Sequence, residues 1–283
     1  FHMFRHRFLF FASSKWLCRC WSWGGGPLNC LFEVAGMSKQ YGKQLGCENI
    51  SFSLYPGEVL GIVGESGSGK STVLNCLSGQ LEPDEGEVYF DSPTKGKVDI
   101  WTLTEAEQRH LARTEWAFVH QNPRDGLRMG VSAGGNIGER LMNVGHRHYG
   151  KIRQTAIDWM GRVELSEDRL DDRPSVFSGG MQQRLQIARS LVTEPRLIFM
   201  DEPTGGLDVS VQARLLDLLR QLVQELGLSV ILVTHDLAVV RMLADRMVVM
   251  QNGHIVESGL SDQVLDDPQH PYTQLLVSSI LQV

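Results

Sequence analysis

Apolar residues along this chain occur in two rhythms. Val59 to Val63, Trp116 to Val119, Leu197 to Met200 and Val230 to Val233 are short apolar runs, each ending at a polar or glycine-rich stretch. Runs this short, bounded in this way, predict strands buried on both faces. Longer stretches between them repeat at helical spacing. After Ser178, the residues Met181, Leu185, Ala188 and Val192 share one face, and the pattern stops before Pro195. Strand, loop and helix in alternation predict an α/β domain around a largely parallel sheet. Earlier in the chain, "CENISFSLYPGE" is β-rich; later, "RMVVMQNGHIVESG" sets Asn252-Gly253 between two β-rich runs, the signal of a two-residue hairpin.

Composition narrows the function classes. A chain of 283 residues with 42% hydrophobic content can bury a sizeable core. Its net charge of −6 gives no electrostatic case for a nucleic-acid partner. No apolar run approaches the roughly 18 to 20 residues that span a bilayer, so direct membrane insertion is not expected and any membrane association goes through a partner. Residues 1–30 stand apart, with Arg5, Arg7, Lys15 and Arg19, no acids, and Cys18, Cys20 and Cys30. The piece "FLFFA" is shorter than a secretory core, and Cys18 and Cys20 with His2 and His6 match no zinc spacing. This segment is expected to be an extension outside the domain, disordered or non-native.

The strand at Val59 to Val63 runs into Gly64, Glu65, Ser66, Gly67, Ser68, Gly69, Lys70 and Ser71, with a helix expected from about Thr72. This is a P-loop in its strand-loop-helix context. Its glycines let backbone N–H groups approach phosphates, Lys70 reaches the β- and γ-phosphates, and the Ser71 hydroxyl can ligate Mg²⁺. ATP and Mg²⁺ are therefore the expected ligands. A second apolar strand, Leu197 to Met200, carries Asp201 and Glu202 at its edge. Alternation of side chains along a strand lets the two acids differ in role, Asp201 in the Mg²⁺ shell and Glu202 as the base for an attacking water. His235, in Thr234-His235-Asp236 after the strand at Val230 to Val233, is expected at the same sheet edge near the γ-phosphate. Gln121 after Trp116 to Val119 is by itself only a polar strand end. Ser178, Gly179 and Gly180 open a helix, and a helix N-terminus offers uncovered N–H groups to an anion. A chain whose own P-loop already holds the phosphates has no use for a second such end, whereas a second chain facing it head to tail does.

These residues resemble the nucleotide-binding domains of the ATP-binding cassette (ABC) superfamily over residues 31–283. P-loop, "FSGGM", "LIFMDE", "GGLD" and "THD" stand in the family's order. The resemblance implies an α/β RecA-like P-loop core, an antiparallel β subdomain, an inserted helical subdomain at about 122–194, and two ATP molecules sandwiched in a dimer. It further implies that Tyr41 stacks on adenine, that Gln121 joins Ser71 and Asp201 at the metal and links the γ-phosphate site to a partner, and that Asp208 crosses the dimer seam. Phe177 and Met181 in the signature, and Gly205-Gly206 before Leu207-Asp208, depart from the usual pattern. The ending "DDPQHPYTQLLVSSIL" resembles the ATPases of oligopeptide and dipeptide importers. The segment after Gln121, "NPRDGLRMGVSAGGNIGERLMNVGHRHYG", together with "EPTGGLDVSVQARLLDLLR", looks very like the ATP-binding subunits of the bacterial carbon-phosphorus lyase system, which dock on a soluble enzyme core. The partners implied are a second ABC ATPase chain, as a homodimer, and that lyase core, in the cytoplasm. Arg124, Asp125, Arg128 and the glycines around them are expected to form a polar, flexible docking loop. An importer motor is the alternative. A DNA-associated ABC ATPase is disfavoured because no heptad run separates Gln121 from Ser178.

Overall fold

The computed structural model describes residues 30–279, so the expectations placed on residues 1–29 lie outside it. Cys30, the last residue of the expected extension, belongs to the folded part: its thiol donates to the Phe32 carbonyl at 2.8 Å. Two sheets organise the chain. β1 (Phe32–Tyr41), β2 (Gln44–Leu54), β4 (Glu85–Ser92) and β5 (Gly96–Asp99) form an antiparallel sheet in the order β2-β1-β4-β5. β3 (Val59–Val63), β6 (Trp116–Val119), β7 (Leu197–Asp201), β8 (Ser229–Thr234), β9 (Arg246–Gln251) and β10 (His254–Leu260) form the second, in the order β10-β9-β3-β8-β7-β6. It is parallel except for β10, which turns back on β9. The turn is the expected one, with Asn252 at φ 49 and Gly253 at φ 84, both in the left-handed region that such a hairpin requires.

The parallel sheet is covered on both faces, which is why its strands read as unbroken apolar runs. Alternate residues go to opposite sides. Leu197 and Phe199 of β7 join Leu60, Ile62, Ile231 and Val233 in a core shared with the antiparallel sheet and with α1 (Lys70–Leu77). Phe199 meets Phe32 at 6.0 Å and Trp116 at 5.9 Å, both edge-on. Truncating a side chain so placed costs about 3–5 kcal/mol. Ile198 and Met200 face the other way, with Val59, Val119, Val230 and Leu232, onto helices.

Those helices come largely from the stretch between β6 and β7: α3 (Pro123–Gly126), α4 (Ala133–Asn143), α5 (Tyr149–Arg162) and α6 (Gly179–Leu191). α2 (Glu105–Thr114) precedes β6, and α7 (Val209–Leu226), α8 (Leu237–Leu243), α9 (Ser261–Asp266) and α10 (Pro271–Ser278) follow β7 in turn. α1 begins at Lys70, two residues before the expected start, so the P-loop lysine is already helical. α6 is more buried than a single apolar face allows: Gln182, Gln183 and Gln186 are buried along with Leu185 and Ala188. Gln182 meets the burial cost by donating to the Pro174 and Phe177 carbonyls at 2.9 and 3.1 Å.

The stretch after Gln121 is not a flexible loop. Asn136, with no exposed surface, accepts from Arg128 N–H at 2.8 Å and donates to the Arg128, Val131 and Ser132 carbonyls. A Cβ on Gly134 would sit 2.8 Å from the Leu170 side chain, and one on Gly138 2.8 Å from Ile152. These glycines serve close packing, a use that composition does not distinguish from flexibility.

Candidate functional site

The P-loop closes around Lys70. Its ammonium donates to the Gly64 and Glu65 carbonyls at 2.7 Å each and lies 3.4 Å from the Ser68 hydroxyl. Burial pulls the Lys70 pKa down, against the opposing pull of Glu202 and Asp201. Gly64 adopts φ 152, and a Cβ there would lie 2.2 Å from the Met250 carbonyl oxygen, so no other residue fits this turn. An open cavity of about 690 Å³ lies over the loop, lined by Gly64, Glu65, Ser66, Gly67 and Gly69 to Thr72, by Tyr41 on one side, and by Gln121, Glu202 and His235. Ser68 is buried beneath the loop and does not line the cavity; its carbonyl accepts from Gly253 N–H at 3.0 Å. Tyr41 is the last residue of β1 and 48% exposed at the cavity mouth.

Glu202 is separated from Asp201 by a backbone turn and not by strand alternation. β7 ends at Asp201, and Glu202 takes φ 41, a left-handed conformation costly for this residue type. Its N–H donates to the Val233 carbonyl at 2.8 Å and its carbonyl accepts from Gly205 N–H at 2.9 Å, which hold it there. The carboxylate is gripped from both sides: Gln121 Nε2 donates to Oε2 at 3.1 Å, and His235 Nδ1 lies 2.8 Å from Oε1. Since an ionised carboxylate only accepts, this contact puts the proton of His235 on Nδ1. Gly205, one of the departures from the usual pattern, lies against this pair; a Cβ on it would come within 3.4 Å of the Gln121 side chain.

Asp201 has its pKa raised by burial first and by the adjacent Glu202 second, with Lys70 opposing. A carboxyl so placed gains from a nearby cation. Among the described residues no cluster of three or more His, Cys, Asp or Glu could hold a metal by itself. The candidates are the oxygen donors of Ser71, Gln121 and Asp201, which suits a hard cation held by one carboxylate, phosphate oxygens and water.

Ser178, Gly179, Gly180 and Asp208 do not line this cavity. Ser178 caps α6, its hydroxyl accepting from Met181 N–H at 3.3 Å, and Ser178 and Gly179 are exposed. Gly180 is buried, and a Cβ there would meet the Val211 side chain at 2.6 Å. Asp208 precedes α7 with an exposed side chain that caps no N–H group.

Comparison with known proteins decides the family. The family model described as ABC transporter matches residues 47–205. The chain belongs to the ABC family. Its ATP-binding domain is that of a family that hydrolyses ATP. Among its relatives, PhnK of Escherichia coli K12, named for phosphonates utilization, is 62% identical over 252 residues, covering 89% of this chain and 98% of PhnK. DppF of Escherichia coli K12, named for dipeptide transport, is 39% identical, covering 82% of this chain and 68% of DppF. Among solved structures, an ABC cassette in a dimeric post-hydrolysis state bound to ADP and Pi superposes with a TM-score of 0.73 at 30% identity, covering 81% of this chain and 98% of that one.

The ABC site also contains residues that sequence reasoning missed. Gln44, Leu45 and Gly46 of β2 and Leu275, Leu276 and Ser279 at the C-terminal end line the cavity. Tyr272 of α10, 8% exposed, accepts from Glu65 N–H at 3.0 Å through its hydroxyl. The only signal for it was the "HPYT" in the importer-like ending, which carries no mark of a P-loop contact.

Proposed function

We propose that this chain is a cytoplasmic Mg-dependent ATPase that works as a head-to-tail homodimer and docks on a carbon-phosphorus lyase core in phosphonate breakdown. The observation that carries the partner class is the gap between 62% identity to PhnK over nearly its whole length and 38–39% to the peptide-import relatives. Among the described residues no helix is long and apolar enough to cross a membrane.

The residues divide the work of hydrolysis. P-loop N–H groups and Lys70 hold the β- and γ-phosphates, and Tyr41 stacks on the adenine. Ser71, Asp201 and Gln121 would hold Mg²⁺, which when bound neutralises charge on the phosphates. Glu202 takes the proton from the attacking water, oriented by Gln121 and His235, and His235 also faces the γ-phosphate. Ser178, Gly179 and Gly180 of the other chain close over that phosphate, Gly180 by shaping the turn, and Asp208 meets the partner across the seam. Exposed Arg124 is assigned to docking; Arg128 already pairs with Glu139 at 2.7 Å.

Two measurements test this. Glu202→Gln should still bind ATP but lose about 10²- to 10⁴-fold in turnover; normal hydrolysis would remove Glu202 as the base. Affinity capture of the native complex, read by mass spectrometry, should recover soluble lyase subunits, fewer of them with Arg124→Glu. Recovery of a membrane permease instead would establish the importer alternative.

A further inference from the structure

Among the described residues β6 is the outermost strand of the parallel sheet, so one row of its backbone groups has no strand there to pair with. Side chains take the carbonyls of that row and, at His120, the N–H as well. Arg140 of α4 donates to the Trp116 carbonyl at 3.3 Å, and the Ser190 hydroxyl of α6 donates to the Phe118 carbonyl at 3.0 Å. Gln186, one turn before Ser190, engages both groups of His120: its amide oxygen accepts from His120 N–H at 2.8 Å, and its amide nitrogen donates to the His120 carbonyl at 3.1 Å. The match is geometric. Four residues along a helix advance about 6 Å and two along a strand about 6.6 Å, so Gln186 and Ser190 fall opposite His120 and Phe118. Gln186 is 1% exposed and supplies the two-way pairing a neighbouring strand would otherwise make. The next residue after His120 is Gln121, whose amide reaches Glu202.

We propose that Gln186 is a positioning residue for Gln121. By holding both backbone groups of His120, it fixes where the chain leaves β6 and so where the Gln121 amide stands against the Glu202 carboxylate. The helix that carries Gln186 is capped at its start by Ser178, so on this proposal a shift of that helix end moves Gln121 with it. This rests on the assignment of Gln121 to the hydrolytic site.

Two variants of the full chain test it. Gln186→Met keeps length and volume but offers neither donor nor acceptor. Gly126→Ala keeps the Gln186 amide in the chain but displaces it, because a Cβ on Gly126 would lie 2.4 Å from Gln186 Oε1. Each is assayed for steady-state ATP hydrolysis and thermal melting, alone and combined with Gln121→Ala. Each alone should lower kcat by about ten- to a hundredfold, as misplacement of a reacting-site group does, with KM for ATP unchanged. Neither should lower kcat further in the Gln121→Ala background. An equal fold-loss in both backgrounds, or full kcat in a folded variant, overturns the proposal. If Gln121→Ala is itself fully active, the assignment of Gln121 falls and the proposal with it. An impaired Gln121→Ala beside a fully active Gln186→Met removes the proposal alone. Should Gln186→Met fail to fold, Gly126→Ala decides by the same criteria.

Discussion

Asp201 and Glu202 are adjacent in sequence and differ in surroundings. Asp201 closes a buried strand beside a second carboxylate, and burial, then Glu202, raises its pKa. A carboxyl whose folded-state pKa exceeds its unfolded value binds its proton more tightly when folded. Its contribution to stability is full below the unfolded value and is lost as pH rises through the folded one. Removing the ionisation should therefore stabilise the protein assayed without nucleotide or Mg²⁺. Asp201→Asn is expected to raise the melting temperature at neutral pH by roughly 1–3 °C. That gain should shrink as pH falls through the range where Asp201 takes up its proton, while Mg-dependent hydrolysis is lost. Calorimetry across pH checks the sign, and a variant that melts lower at neutral pH would contradict it. Stability given up at a site for the sake of its chemistry is a familiar trade.

At the scale of elements, the P-loop is held by parts of the chain far from it. The hairpin tip donates from Gly253 N–H to the Ser68 carbonyl, and α10 brings the Tyr272 hydroxyl to Glu65 N–H from 207 residues away. Tyr272→Phe keeps the ring and removes the acceptor. At about 0.5–1.5 kcal/mol for such a bond, ATP affinity should fall about two- to tenfold with kcat little changed. Titration with a fluorescent ATP analogue measures it, and an unchanged Kd would mean that the contact does not shape the loop. This division marks what the sequence could disclose. Lys70, Ser71, Glu202, His235 and the Asn252-Gly253 turn were legible because their chemistry sits in contiguous residues with a known local geometry. Tyr272 and Gln186 were not, since each owes its role to a backbone group 207 or 66 residues distant. The stretch after Gln121 was misread for a different reason: glycine serves flexibility and close packing alike, and only the neighbours Leu170 and Ile152 separate the two.

At the scale of the molecule, the helix end at Ser178 does not line the chain's own cavity, so in the head-to-tail arrangement proposed above the Ser178 end that completes a site comes from the other chain. Mixing a Ser178→Arg chain with a Lys70→Ala chain should restore hydrolysis, because a hybrid dimer carries both lesions in one site and neither in the other. Activity in the mixture no greater than the sum of the two separate preparations would rule out sharing. The outer edge of β6 bears on association of an unwanted kind. Gln186, Ser190 and Arg140 occupy it in the folded chain, but all three arrive on helices that follow β6 in sequence, and a chain emerging from the ribosome makes the strand first. Until α4 and α6 dock, Trp116 to Val119 presents an apolar strand with open hydrogen-bonding groups, the kind of edge on which chains stack into aggregates. The glutamine proposed to position Gln121 thus also closes, once its helix docks, an edge that the newborn chain leaves open to its neighbours.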